Sequence, residues 1–370
     1  MSTATRALLL VDQVHRVLGR HRADDSRTGW LNGLGETEGA GHPTSAGLRI
    51  GKNLPERRPG EPLDAELEWD RDGQYFHYLT KWMHALDSVF LATGDARFNL
   101  WAKELARAAH ASFVKRAGGA GEGVRMYWKM SIDLSRPLVP SMGQHDPLDG
   151  LLTFAQLEVS SRRHRALPTP DLAPAIAELA ALVEVTDLRT VDPLGLGGLL
   201  SDAWRVAHLR DSEAFDGTGL LDRLLRAAAI GLARYASGGE QNEPPSRRLA
   251  FRELGLAIGL RAVELIESPA RSRYRPSWPR GASSAAQPKE LHLPASSAPN
   301  HLGESAAAPE HEQHRAWYPA CTSVPTEVLQ CRRMKAPWIV WFASFSGSCS
   351  SLSRSSDRRR RGDSWGSCLS

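Results

Sequence analysis

The clearest pattern in the chain runs from Gln74 to Phe90. Tyr75, Phe76, Leu79, Trp82, Met83, Leu86, Val89 and Phe90 recur at three and four residues and predict a helix with one broad apolar face. Between them Gln74, His77, Lys81, His84 and Ser88 fall at intervals of 3, 4, 3 and 4, so the polar positions form a single stripe. Upstream, Gly73 closes a loop, and Asp70 or Asp72 is placed to cap the helix by accepting backbone N–H bonds.

The same periodicity organises the rest of the first 267 residues. From Thr3 to Arg22, Ala7, Leu10, Val11, Val14 and Leu18 predict an amphipathic helix, followed by a long glycine-rich loop from Gly29 to Lys52. A turn at Thr93-Gly94-Asp95 precedes a helix in which Phe98, Trp101, Leu105, Ala109 and Phe113 recur, with Asp95 as its N-cap. After a glycine cluster from Gly118 to Gly123, Met126, Trp128, Met130, Ile132 and Leu134 alternate with Tyr127, Lys129, Ser131 and Asp133, the one good strand signal in this region. Further helices are expected at roughly 147–164, 171–186, 195–210, 218–236 and 247–267, each bounded by Pro, Gly or Asp. About eight helices joined by short connections imply antiparallel hairpins, an all-α fold with one short β insertion.

Beyond Glu267 the periodicity vanishes and Ser, Pro, Arg and Ala dominate, which predicts a disordered tail over 268–370 beside a helical domain over 1–267. The abrupt change is that expected if a reading-frame change near residue 268 had replaced or truncated an original C-terminal part. Pro337 to Phe345, PWIVWFASF, is an apolar exception too short to span a bilayer. The tail carries 14 Lys and Arg against 7 Asp and Glu, leaving 32 basic and 35 acidic residues in the helical part. The net charge of +4 therefore comes from the tail and is no argument that the folded part binds nucleic acid or an anionic membrane. All four cysteines, Cys321, Cys331, Cys349 and Cys368, also lie there. A cysteine-free body has no disulfide framework and suits a reducing cytoplasm, and the run Ala7 to Val11 is too short for a signal-peptide core.

Several motifs fail on their context. GLGETEGAG lacks the preceding strand and downstream acid of a dinucleotide fingerprint, and Gly51-Lys52 is followed by Asn53 where a phosphate loop needs a hydroxyl. No HExxH occurs, and His311 and His314 in the tail are weak ligands, so neither a metal nor another cofactor is expected. What remains is acidic and aromatic. Glu36 and Glu38 sit in the glycine-rich loop, Glu68, Asp70 and Asp72 precede the patterned helix, and Trp30, Trp69, Trp82 and Trp128 offer flat apolar faces. Paired carboxyl groups with aromatic platforms are what glycoside cleavage or sugar epimerisation requires. In SMGQHDPLDG, His145 adds a candidate while Asp146 and Asp149 read equally well as helix caps.

The Gly-rich acidic loop, EWDRDGQYFHYLTKWMHAL, YWKMSIDL and GQHDPLDG, set among serial helical hairpins, together resemble uncharacterised bacterial proteins of the six-hairpin (α/α) toroid class over about residues 28 to 267. That class includes glycoside hydrolases and N-acylglucosamine 2-epimerase-like enzymes. The resemblance implies two concentric rings of helices with a cleft at one end, and about eight helices in place of twelve imply a partial toroid.

These observations together predict a cytoplasmic carbohydrate-active enzyme acting on a small sugar or glycan. Glu38, Asp70, Asp72 and His77 would carry the catalysis, and Glu36, Lys81, Trp82, His84, Trp128 and His145 would line the cleft. In a hydrolase Asp70 would donate a proton and Glu38 would activate water. In an epimerase His77 and His84 would exchange protons, although seven residues separate them by about 10.5 Å along an ideal helix axis. The alternative from another class is a non-catalytic toroid that binds sugar or protein.

Overall fold

The computed structural model describes residues 3–116, 124–139, 141, 143–163, 168–209, 215, 217–239, 242–244 and 247–267. The cluster Gly118 to Gly123, the tail, the segment Pro337 to Phe345 and the pair His311 and His314 lie outside the described residues.

The described chain is mostly helical. Helix α1 (Thr3–Leu18) stops short of Arg22, because Arg20 already pairs as an isolated bridge with Trp30 across the following loop. That loop holds a short helix, α2 (Glu36–Gly41), where a plain loop was expected. A second short helix, α3 (Ala65–Glu68), is capped by the Asp64 carboxylate, which accepts from the backbone N–H of Glu66 and Leu67. Strand β1 (Gln74–Tyr75) leads directly into α4 (Phe76–Thr93), which ends at Gly94 with φ 74°. Asp95 then caps α5 (Ala96–Phe113) by accepting from Arg97 N–H, as its sequence position predicts.

The expected strand over 126–134 is broken in two. Strand β2 (Val114–Arg116) pairs antiparallel with β3 (Val124–Met126), whereas β4 (Lys129–Met130) lies between β1 and β5 (Pro137–Val139) in a separate sheet. The break falls at Tyr127 and Trp128, whose backbone N–H groups donate to Phe113 O and Ser141 O instead of to one continuous ladder. Helices α6 (Asp146–Arg163), α7 (Ala173–Val185), α8 (Pro193–Leu209), α9 (Thr218–Gly238) and α10 (Ala250–Glu267) follow close to their predicted positions.

The helices pack in two registers. Each of α4, α6 and α8 lies against the helix that follows it, and α4, α6, α8 and α10 also pack one on the next, with α1 against α4. Phe76, Met83, Leu86 and Phe90 of α4 are fully or almost fully buried in one apolar cluster with residues of α5, α6 and α8. Helices α8 and α10 approach closely through glycine: a methyl on Gly197 would stand 2.1 Å from Gly255 O, and one on Gly259 would stand 2.4 Å from Gly197 O. Among the described residues no helix is long and apolar enough to cross a membrane.

Candidate functional site

The short sheet sets the entrance to α4. Gln74 belongs to β1 and not to the helical stripe: its amide accepts from Leu48 N–H at 2.8 Å and donates to Ile132 O at 2.7 Å, so it is a structural tie. Pairing of Tyr75 with Lys129 brings Trp128 beside the first turn of α4, where Phe76 N–H donates to Trp128 O. The Trp128 indole N–H then points at His77 Nδ1 across 3.4 Å. Trp69 stands edge-on to Trp128 with ring centroids 5.0 Å apart.

The rest of the stripe, His77, Lys81 and His84, is partly exposed, and its inner side meets charged groups from α6 and α8. Lys81 Nζ donates to Asp149 Oδ2 at 2.8 Å, and the Thr80 hydroxyl reaches the same oxygen. From α8, Arg205 Nη1 donates to Asp149 Oδ1 at 3.0 Å and to Asp202 Oδ1 at 2.9 Å. Its Nη2 donates to His84 Nε2 at 2.6 Å and to Thr153 Oγ1 at 3.0 Å. Asp146, Asp149, Asp202 and Arg205 are buried, so the cluster has a buried ionic floor beneath a partly open rim.

Its members carry different protonation states. Burial works to raise the Asp149 carboxyl, but the Lys81 and Arg205 charges win and hold it far below the usual carboxylate range. One turn earlier, burial and then the Asp149 charge push Asp146 up to about 7, and its Oδ2 is buried with no hydrogen-bond partner among the described residues. Asp146 opens α6, where the helix dipole favours an anion by roughly 0.3–1 kcal/mol, too little to offset that burial. Asp202 is also raised by burial, against the pull of Arg205. Burial and then the Lys81 charge lower His77 to about 4; burial and then Arg205 hold His84 well below its usual value. Both rings are therefore neutral near pH 7. Asp146 and Asp202 each feel the charges of Asp149 and Lys81.

The other expected site residues divide cleanly. His145 joins the cluster's edge, with Nε2 3.1 Å from Leu188 O and Asp202 among the charges it feels. Glu36 and Glu38 project from α2 into solvent, Glu36 pairing with Arg20, and Asp70 is exposed after α3. The structure does not bring Glu38 and Asp70 into the cluster. Asp72 is fully buried but bound: it accepts from Arg49 at 2.8 Å and from the backbone N–H of Gly51 and Gly73, tying two loops together instead of capping α4. Trp82 faces α1, its indole N–H donating to His15 Nε2 at 3.1 Å, and is core. Trp30 is also core, under the Arg20 guanidinium.

Asp202 and Arg205 are the members that sequence reasoning passed over. The signal was present, since two opposite charges three residues apart in the otherwise apolar GLLSDAWRVAHL cannot be buried without partners. Among the described residues no group of three or more His, Cys, Asp or Glu side chains is placed to hold a metal ion. Scans against family models, curated proteins and solved structures find no match to this chain.

Proposed function

We propose that the α4, α6 and α8 cluster is the active site of a carbohydrate-active enzyme, hydrolase-like, working by proton transfer between buried carboxyl groups. The observation that carries this is Asp146: a buried carboxyl whose Oδ2 has no partner among the described residues, pushed up to about 7 one turn from a carboxylate that stays ionised. Carboxyl groups driven to opposite protonation states by their surroundings are a means of doing acid and base chemistry at one pH. Asp146 gives its proton to the glycosidic oxygen, and Asp202, from the neighbouring helix, takes one from water. Asp149 stays charged and stabilises positive charge developing on the sugar ring. His77 and Trp128 supply a donor and an apolar face at the rim.

The epimerase variant is weaker with the histidines as its pair. The His84 Nε2 lone pair accepts from Arg205, so it does not serve as the exchanging base. The packing of α4, α6, α8 and α10 one on the next, with α4, α6 and α8 each also against the helix that follows it, supports an incomplete (α/α)6 toroid.

The test is turnover by the full chain of aryl glycosides and of a glycan panel. Asp146→Asn should lower kcat by about 10²–10⁴-fold while leaving binding intact. Full turnover by that variant would sink the assignment, and glycan binding by the parent chain without any turnover would establish a binding protein instead.

A further inference from the structure

Trp69 is a large apolar side chain left 54% exposed, and its surroundings keep it there. The backbone on either side of it is pinned by one buried ammonium group: Lys129, 0% exposed, donates from Nζ to Glu68 O at 2.7 Å and to Arg71 O at 2.9 Å. The same Nζ donates to Glu68 Oε1 at 2.8 Å, while Arg57 Nε donates to Glu68 Oε2 at 3.0 Å. Lys129 directly follows Trp128, so one ion-pair lock holds the backbone beside both indoles, whose rings stand 5.0 Å apart and edge to face. A single exposed tryptophan is unremarkable. An exposed indole on a locked backbone, touching a second indole that points its N–H at His77, makes an aromatic path from solvent to the rim of the carboxyl cluster.

We propose that Trp69 and Trp128 form an outer sugar-binding subsite, filled by the ring beyond the one at Asp146, so that the substrate contains at least two linked sugar rings. This rests on the sugar-enzyme reading above. The C–H faces of a pyranose pack on an indole, which buries apolar area without needing charge, and a pre-fixed platform loses little entropy when it binds. The two cations that lock the platform, Lys129 and Arg57, are both committed to Glu68. The indole faces themselves therefore offer apolar area and no charge to the bound ring.

The test is calorimetric titration of the full chain with mono-, di- and trisaccharides of glucose, mannose, xylose and N-acetylglucosamine, with turnover followed on the same series. The disaccharide of the accepted series should bind at least tenfold more tightly than its monosaccharide, a gain that Trp69→Ala removes and Trp69→Phe largely keeps. Thermal unfolding of Trp69→Ala should stay close to that of the parent, since 54% of the residue is exposed. The inference is overturned by a gain with chain length that survives Trp69→Ala, by no gain in the parent, or by no binding of any probe. Trp69-dependent binding without turnover would leave the subsite standing and remove the hydrolase reading. Turnover abolished by Asp146→Asn but insensitive to Trp69→Ala would do the reverse.

Discussion

Arg205 on α8 donates to His84 Nε2 on α4 across 2.6 Å, and this one contact fixes the state of the imidazole. An arginine offers no acceptor, so Nε2 must present its lone pair, and the ring is neutral with its proton on Nδ1. The same guanidinium neutralises Asp149 and Asp202, which makes it the central cation of the floor. Arg205→Ala strands the buried Asp202 carboxyl and leaves Asp149 to Lys81 alone, and breaking buried pairs in this way typically costs about 3–5 kcal/mol. Urea unfolding at pH 7 should register a loss of that size, and adding Asp202→Asn to the variant should recover part of it. A change below about 1 kcal/mol would show that the floor is solvated and not buried.

Asp146 makes stability depend on pH in a defined direction. Below its ordinary value of 3.8 the carboxyl is protonated in both the folded and unfolded chain and makes no difference. Between 3.8 and about 7 the unfolded chain releases a proton that the folded chain retains, so folding loses stability as pH rises through this window, and the full penalty remains above it. That penalty is on the order of 4 kcal/mol for a group so deeply buried. Asp146→Asn should therefore unfold at higher denaturant concentration than the parent at pH 8, with the advantage shrinking below pH 7 and vanishing near 4. A variant uniformly weaker across the range would mean that Asp146 is ionised in the folded chain. If activity falls while stability at pH 8 increases, the residue is kept for chemistry at the expense of the fold.

Much of the helical plan was legible because burial imposes a period of 3.6 on any helix that covers a core, and α6 to α10 begin and end near the Pro, Gly and Asp residues that mark them. The short sheet was not. Two-residue strands such as β1 and β4 show no period, and Trp128 reads as a strand residue although its backbone bonds to Ser141 and Phe76. At the site, the stripe of His77, Lys81 and His84 carried information because those side chains share a helix face. Which carboxylates answer them depends on contacts between residues more than 60 positions apart, as with Lys81 and Asp149. Local spacing therefore favoured Asp70, near in sequence to His77, over Asp149 and Asp202, near in space. Asp146 and Asp149 read as helix caps because they do open a helix; only its burial, which no local spacing records, sets that helix end apart.

His15 offers a test of the core on the other side of α4. It accepts from the Trp82 indole N–H at 3.1 Å, and burial lowers it to about 4 from 6.5, against a smaller pull from Asp12. Its contribution is complete above pH 6.5 and is lost as pH falls toward 4, because the unfolded chain then binds a proton that the folded chain refuses. His15→Leu leaves the indole N–H without its acceptor and should cost about 1–3 kcal/mol at pH 7. The variant should also lose less stability than the parent between pH 6.5 and 4.5. Parallel pH profiles for the two proteins would mean that His15 is protonated in the folded chain.

Two adjacent glycines in α8 make the last comparison, because they share sequence context and differ in surroundings. A methyl on Gly197 would stand 2.1 Å from Gly255 O and 2.7 Å from Leu256 N, both backbone atoms of α10 that cannot step aside without moving the helix. A methyl on Gly198 would meet nothing within 4 Å. Gly198→Ala should stabilise the protein by up to about 1 kcal/mol, since alanine loses less backbone entropy than glycine in a helix. Gly197→Ala gains the same propensity but forces α8 and α10 apart, and overpacking of this kind costs about 1–3 kcal/mol or more. Hydrogen exchange should locate the damage in α10, with its amides losing protection before those of α4 and α6. If both variants were stabilised alike, α10 would not be seated on α8 in solution, and the inner packing series would end at α8.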